Sequence, residues 1–187
     1  WRNNFCIIFI IILLIKKFYS NYNYMKKLQL AILASGKGTN LSAVLDAIKS
    51  NILPCNICLV CTNKKCEAIN IATKNNIPVI QKELKDKSQR EIYDKELAEV
   101  IKPYNPDVIV LAGWMHIFTS NFINEFKNII NLHPALPNTF KGSNVIEDAF
   151  TAFHNGKIKY SGVMVHRVIP QIDSGPVISE LIVPIYP

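Results

Sequence analysis

The run Asp107-Val-Ile-Val-Leu-Ala112 constrains the fold more than any other stretch of this chain. After Asp107 it has no polar position, so a strand here has no face to give to water. Strands buried on both faces belong to parallel sheets covered by helices on each side. The preceding sequence supplies the helices. Leu28–Ala34 reads as a first strand, and Leu41, Val44, Leu45 and Ile48 then recur at helical spacing. Cys55–Cys61 reads as a strand, Cys66–Lys74 as a helix, Ile77–Ile80 as a short strand and Ser88–Ile101 as a longer helix. This alternation predicts an α/β fold, a doubly wound, mostly parallel Rossmann-type sheet with helices on both faces.

With 187 residues, 49% of them hydrophobic and 19% charged, the chain fits one globular domain with a substantial core. Residues 1–24 differ from the rest. Phe5–Ile15 is eleven unbroken apolar residues, followed by Lys16-Lys17 and an Asn/Tyr-rich stretch. Eleven falls short of the roughly 20 residues of a membrane helix, and no small-residue cleavage site follows. We expect the domain to span 25–187, starting at Met25, with 1–24 translated upstream sequence outside the fold. A targeting or anchor segment, and membrane contact only through it, is the rival reading. Arg2, Lys16 and Lys17 supply three of the seven net positive charges, leaving +4 for the remainder. Those charges are dispersed, without an aromatic-interleaved basic stripe; phosphate-bearing small molecules explain the mild positive bias as well as nucleic acid does, and the partners expected are small molecules, with no nucleic acid.

The chain has five cysteines, and Cys55, Cys58, Cys61 and Cys66 superficially imitate a metal-ligand spacing. On a regular strand Cys55 and Cys61 face opposite to Cys58, so the three cannot converge. No metal is expected. An odd cysteine count without a disulfide framework fits a reducing, cytoplasmic compartment.

The chemistry is concentrated in Ile129-Ile-Asn-Leu-His-Pro-Ala-Leu-Pro137. In a strand Asn131 and His133 share a face, with Leu132 turned to the core, and Pro134 ends the ladder. An exposed amide and imidazole then stand at the carboxyl end of a strand, where open α/β sheets bind ligands. Such a pair can polarise a carbonyl and move a proton. After the first strand, Ser35-Gly-Lys-Gly-Thr-Asn40 opens a helix, which aims unbonded N–H groups at an anion. Leu41 stands where a dinucleotide fingerprint needs its third glycine, and the P-loop spacing is absent, so the loop predicts a phosphate cradle for something smaller than NAD. Gly113–Phe118 leaves the 107–112 strand as an aromatic and thioether wall suited to a flat heteroaromatic ligand, with Trp114 expected in the core. A helix over 144–154 and strands over 159–168 and 176–183 complete the chain, the strands joined through the turn residues Asp173-Ser-Gly-Pro176.

Taken together, these segments resemble the phosphoribosylglycinamide formyltransferases, the folate-dependent enzymes of purine synthesis, from about Leu28 to Tyr186. The resemblance lies in Gly36-Lys-Gly-Thr-Asn40, Arg90-Glu-Ile-Tyr93, Val110-Leu-Ala-Gly-Trp-Met115, Asn131–Pro137, Gly162-Val-Met-Val-His166 and Asp173–Pro176. It implies that Gly38, Thr39 and Asn40 hold the phosphate of glycinamide ribonucleotide. It implies that Arg90, with Met115, His116, Ile117, Phe118 and Asn131, binds 10-formyltetrahydrofolate as cosubstrate. Asn131, His133 and Asp173 match the catalytic trio. In that chemistry the substrate amine attacks the formyl carbon, Asn131 donates to the oxyanion, and His133 carries charge and relays a proton. Asp173 favours the charged ring by pairing with it. Two departures stand out: His116 replaces an Arg found in many relatives, and the helical segment that follows in the family is missing after Pro187, so the chain reads as truncated. Hydrolysis of formyl-folate, another folate-dependent formyl transfer, and an inactive ligand-binding fragment are the alternatives.

Overall fold

The computed structural model describes residues 27–142 and 144–186. The expected leader, 1–24, and the start at Met25 lie outside the described residues. Seven strands form one sheet: β1 (Leu28–Ala34), β2 (Cys55–Thr62), β3 (Val79–Gln81), β4 (Val108–Leu111), β5 (Ile129–His133), β6 (Tyr160–Arg167) and β7 (Val177–Pro184). Their spatial order is β3-β2-β1-β4-β5-β6-β7. β1 to β5 are mutually parallel, whereas β6 runs antiparallel to β5 and β7 antiparallel to β6. The fold class read from the sequence is therefore the one observed. The chain winds outward from β1 to β3, then returns to β4 on the other side of β1. That reversal opens a crevice at the carboxyl ends of β1 and β4.

Alternate residues of β1 feed two cores, as the period of two requires. Leu28, Leu30, Ile32 and Ala34 pack under α1 (Thr39–Lys49) and α2 (Glu67–Lys74), against Val44, Ala68 and Ala72. Ala31 and Leu33 face α3 (Arg90–Ile101) and α4 (Ser120–Ile123), against Leu97, Ile101, Phe122 and Trp114. Every residue of β4 is buried, because helices cover both its faces. A fifth helix, α5 (Val145–His154), precedes β6. Among the described residues no helix is long and apolar enough to cross a membrane.

The cysteines show how one irregularity defeats a parity argument. The β1–β2 register slips between Leu30 and Ala31, leaving Cys58 unmatched. The slip flips the rest of β2, so Cys55 joins one core and Cys61 the other. They do not share a face, contrary to the regular-strand expectation. Burial pushes the thiols of both up to about 12, which leaves them protonated at neutral pH.

Gly38 ends the first crevice loop in the left-handed region at φ 69° and directly precedes α1. A Cβ there would stand 3.0 Å from the Ala68 Cα, so α2 packs against the loop because position 38 has no side chain. Gly38→Ala should lose about 1–3 kcal/mol through backbone strain. Equilibrium denaturant unfolding measures this, and an unchanged midpoint would exclude a left-handed Gly38.

Candidate active site

A cavity of about 700 Å³ opens along the carboxyl edge of β1, β4 and β5, within the range typical of small-molecule sites. Five chain segments meet on it. Thr39 and Asn40 line one part, Met115–Phe118 form a wall, and Asn131, His133, His166 and Asp173 lie on the same surface. Thr39 and Asn40 begin α1, whose first internal bond is Ser42 N–H to the Gly38 carbonyl at 2.9 Å. The N–H groups of residues 39–41 precede that bond and are available to an anion. Gly38 itself supplies backbone shape and is not on the cavity surface. Arg90 also lies off it. Its guanidinium pairs with Asp94 at 2.9 Å and donates to the Ile117 carbonyl, behind the wall.

Ser35, the first residue after β1, ties the two crevice loops together. Its N–H donates to the Gly113 carbonyl at 3.1 Å, and its Oγ accepts from the Met115 N–H at 3.0 Å. Met115 and Ile117 are 62% and 57% exposed, so the wall presents apolar surface to the cavity and solvent. His116 stacks edge-on against Tyr93 and Trp114, with ring centroids 5.8 and 5.6 Å away. Burial, followed by the positive charge of Arg90, lowers its pKa, and Lys64 and Lys87 add to this against Asp94. His116 is thus neutral at pH 7, unlike an arginine. Its Nδ1 and the Trp114 Nε1 are buried without a hydrogen-bond partner.

At the centre, Pro134 ends β5 immediately after His133, as its missing N–H requires. His133 is only 4% exposed. The exposed pair expected from the sequence is instead a buried imidazole beside a half-buried amide, because the loop after Pro134 folds back over the ring. His133 Nε2 lies 2.8 Å from the Phe140 carbonyl, and Nδ1 lies 3.5 Å from Asp173 Oδ1. An acceptor thus faces each ring nitrogen.

Asp173 arrives from the β6–β7 connection with φ 48°, left-handed geometry that Asp tolerates better than most residues. Gly175 makes the approach possible, since a Cβ there would run into the Arg167 carbonyl. Asp173 Oδ2 accepts from the Gly142 N–H at 3.1 Å, and Oδ1 accepts from Asn131 Nδ2 at 3.2 Å. Burial raises the carboxyl pKa, but contact with His166, the Gly142 N–H and the neighbouring His133 outweigh it and hold the pKa below the usual carboxylate value.

His166 is the site residue that the sequence reading did not single out. It is 2% exposed and pairs across the β5–β6 ladder with Asn131. Its Nδ1 lies 2.9 Å from the Arg167 carbonyl; its Nε2 lies 3.2 Å from Asn131 Nδ2 and 3.6 Å from Asp173. The signal was present in the Gly162–His166 motif, but only the antiparallel register places the ring next to Asn131. Asn131 therefore has both amide hydrogens directed within the site, towards His166 and Asp173. Among the described residues, no group of three or more His, Cys, Asp or Glu side chains is arranged to hold a metal ion.

A crevice at the switch point of a doubly wound sheet, with an anion-facing helix start, an apolar wall and a buried Asn-His-Asp cluster, defines a small-molecule group-transfer site. Comparison with known proteins narrows the class. The Formyl transferase family matches residues 28–187. Phosphoribosylglycinamide formyltransferase of Dictyostelium discoideum is 42% identical over 173 residues, covering 84% of each chain. The enzyme of the same name from Schizosaccharomyces pombe is 39% identical, with 83% of this chain and 82% of the relative covered. The crystal structure of glycinamide ribonucleotide transformylase 1 from Geobacillus kaustophilus superposes with a TM-score of 0.79 at 32% identity, over 87% of this chain and 85% of that one. The chain belongs to the formyl transferase family, alongside the phosphoribosylglycinamide formyltransferases.

The Asp173 shift has a measurable consequence. A folded-state pKa below the unfolded value of about 3.9 contributes stability that is complete above that value and is lost as pH falls through the lower folded value. Asp173→Asn should therefore destabilise the protein at pH 7 and shrink the stability lost between pH 5 and pH 2. Urea unfolding of both proteins at these pH values tests this. An equal acid-side loss in the two would exclude a depressed Asp173 carboxyl.

Proposed function

We propose that this chain transfers a formyl group from 10-formyltetrahydrofolate to the amine of glycinamide ribonucleotide, a step of de novo purine synthesis in the cytoplasm. The observation that carries this reading is the position of the Asn131, His133 and Asp173 cluster on the same cavity as the Thr39-Asn40 helix start and the 115–118 wall. The names of the Dictyostelium and Schizosaccharomyces relatives supply the substrate class. The folate supplies an electrophilic one-carbon unit on a flat heteroaromatic ring. The apolar surfaces of Met115 and Ile117 and the partnerless Trp114 Nε1 and His116 Nδ1 suit such a ring.

The chain's own residues then act as follows. Thr39 and Asn40, with the first N–H groups of α1, bind the ribonucleotide phosphate. Asn131 turns one amide hydrogen from Asp173 or His166 towards the formyl oxygen, stabilising the charge that develops there. His133, held by the Phe140 carbonyl and Asp173, keeps a proton beside the reacting atoms. Asp173 balances the charge of the ring and fixes its orientation.

The test is formyl transfer measured as folate product released in the presence of the ribonucleotide. His133→Ala should lower turnover by about 10²–10⁴-fold, with the donor KM little changed. Product release that does not depend on the ribonucleotide would make the enzyme a hydrolase. Turnover of the variant within a few-fold of wild type would exclude His133 as the proton carrier.

A further inference from the structure

The two loops of the crevice are seated in different cores. α1, whose start lines the cavity at Thr39 and Asn40, packs through Leu41 and Val44 into the core on one face of the sheet. The wall packs through Trp114 and Phe118, stacked with ring centroids 5.7 Å apart, into the core on the other face. Apolar burial therefore anchors each loop firmly, but to its own side. What sets one loop against the other is the pairing of the two strands that lead into them.

That pairing runs out at Ser35. Leu30–Leu33 pair with Val108–Leu111, and the Ala112 N–H reaches the Leu33 carbonyl at 2.8 Å. Ser35 continues the link with its N–H on the Gly113 carbonyl and its Oγ on the Met115 N–H, at 3.1 and 3.0 Å. Past this point the two chains part. A Cβ at Gly36 or Gly113 would meet no atom within 4 Å, and the Gly36 carbonyl turns to the Ala68 N–H of α2, on its own side. Ser35 is 2% exposed and is not on the cavity surface. Its hydroxyl bond is separable from the strand, because an alanine would keep the N–H bond and leave only the Met115 N–H unmet.

We propose that Ser35 is a positioning residue. Its hydroxyl holds the anion-facing loop and the 115–118 wall at one separation, and so sets two substrates at reacting distance while touching neither. Which substrates these are rests on the function proposed above; the tie between the loops does not. Reactants held by separate loops react only while the loops keep their spacing, and a misplacement of about 1 Å can cost about 10²-fold in rate.

Ser35→Ala and Ser35→Thr in the full chain test this. Ser35→Ala should lower kcat about tenfold, with the donor and ribonucleotide KM values within about twofold. Ser35→Thr keeps the hydroxyl and should stay within about threefold of wild type; if it does not fold, Ser35→Ala decides alone. A donor KM that rises at unchanged kcat would mean that the hydroxyl only shapes the wall, and the proposal falls. Unchanged kinetics in Ser35→Ala, or a folded Ser35→Thr as slow as Ser35→Ala, overturns it too and leaves the proposed reaction standing. If the wild type is inert, backbone hydrogen exchange with inorganic phosphate as the probe decides. Phosphate should slow exchange over both 39–41 and 113–116 in the wild type, but over 39–41 alone in Ser35→Ala. That pattern in an inert enzyme refutes the proposed reaction and supports the tie. No slowing over 113–116, or slowing that Ser35→Ala retains, overturns the tie.

Discussion

The Asp173 carboxylate, held between two imidazoles, is the interaction on which the site depends. A carboxylate taken out of water costs several kcal/mol unless its oxygens are bonded and its charge is met. Here Oδ1 faces Asn131, His133 and His166, while Oδ2 takes the Gly142 N–H. These contacts draw together the end of β5, the ladder position opposite it on β6, the loop after Pro134 and the β6–β7 turn. Removing the charge would loosen all four at once. The low carboxyl pKa and the two acceptors facing His133 are two expressions of one arrangement.

A second, independent constraint holds the crevice open at its other end. Ser35 binds the loop after β4 through both its N–H and its hydroxyl. The Arg90–Asp94 pair holds the same segment from α3. Neither contact is apolar, although the wall they support is. Apolar burial sets the sheet and its helices and seats Trp114 and Phe118, whereas directional bonds hold the wall's backbone between and beside them. The distinction is physical: burial is roughly proportional to area and tolerant of small shifts, while hydrogen bonds weaken steeply off-axis.

Legibility in the sequence followed the same divide. The β4 run, the helical spacing of Leu41–Ile48 and the Pro134 stop are local signals, and each marks an element that the structure contains. Asn131 and His133 were legible as a pair because two residues on one strand share a face whatever else the chain does. His166 was not, since its place opposite Asn131 depends on an antiparallel register set by the β6–β7 hairpin. Arg90 could be matched to a motif, but its direction is decided by Asp94 within the same helix. The slip at Cys58 is visible only in the pairing with β1. Long-range register and charge pairing, then, are what periodicity does not encode.

The state of Asn131 links the two halves of the site to its chemistry. With both amide hydrogens directed to His166 and Asp173, the Asn131 amide donors are met within the site. An incoming carbonyl oxygen must displace one of these bonds, so binding exchanges one hydrogen bond for another instead of adding one. The net gain in the ground state is small, because the partner left behind must be met by something else. The gain increases when negative charge develops on the oxygen, since charge-assisted bonds are roughly twice as strong as neutral ones. An amide that is occupied at rest and released to an oxyanion thus favours the transition state over the bound substrate, which is the difference that accelerates a reaction.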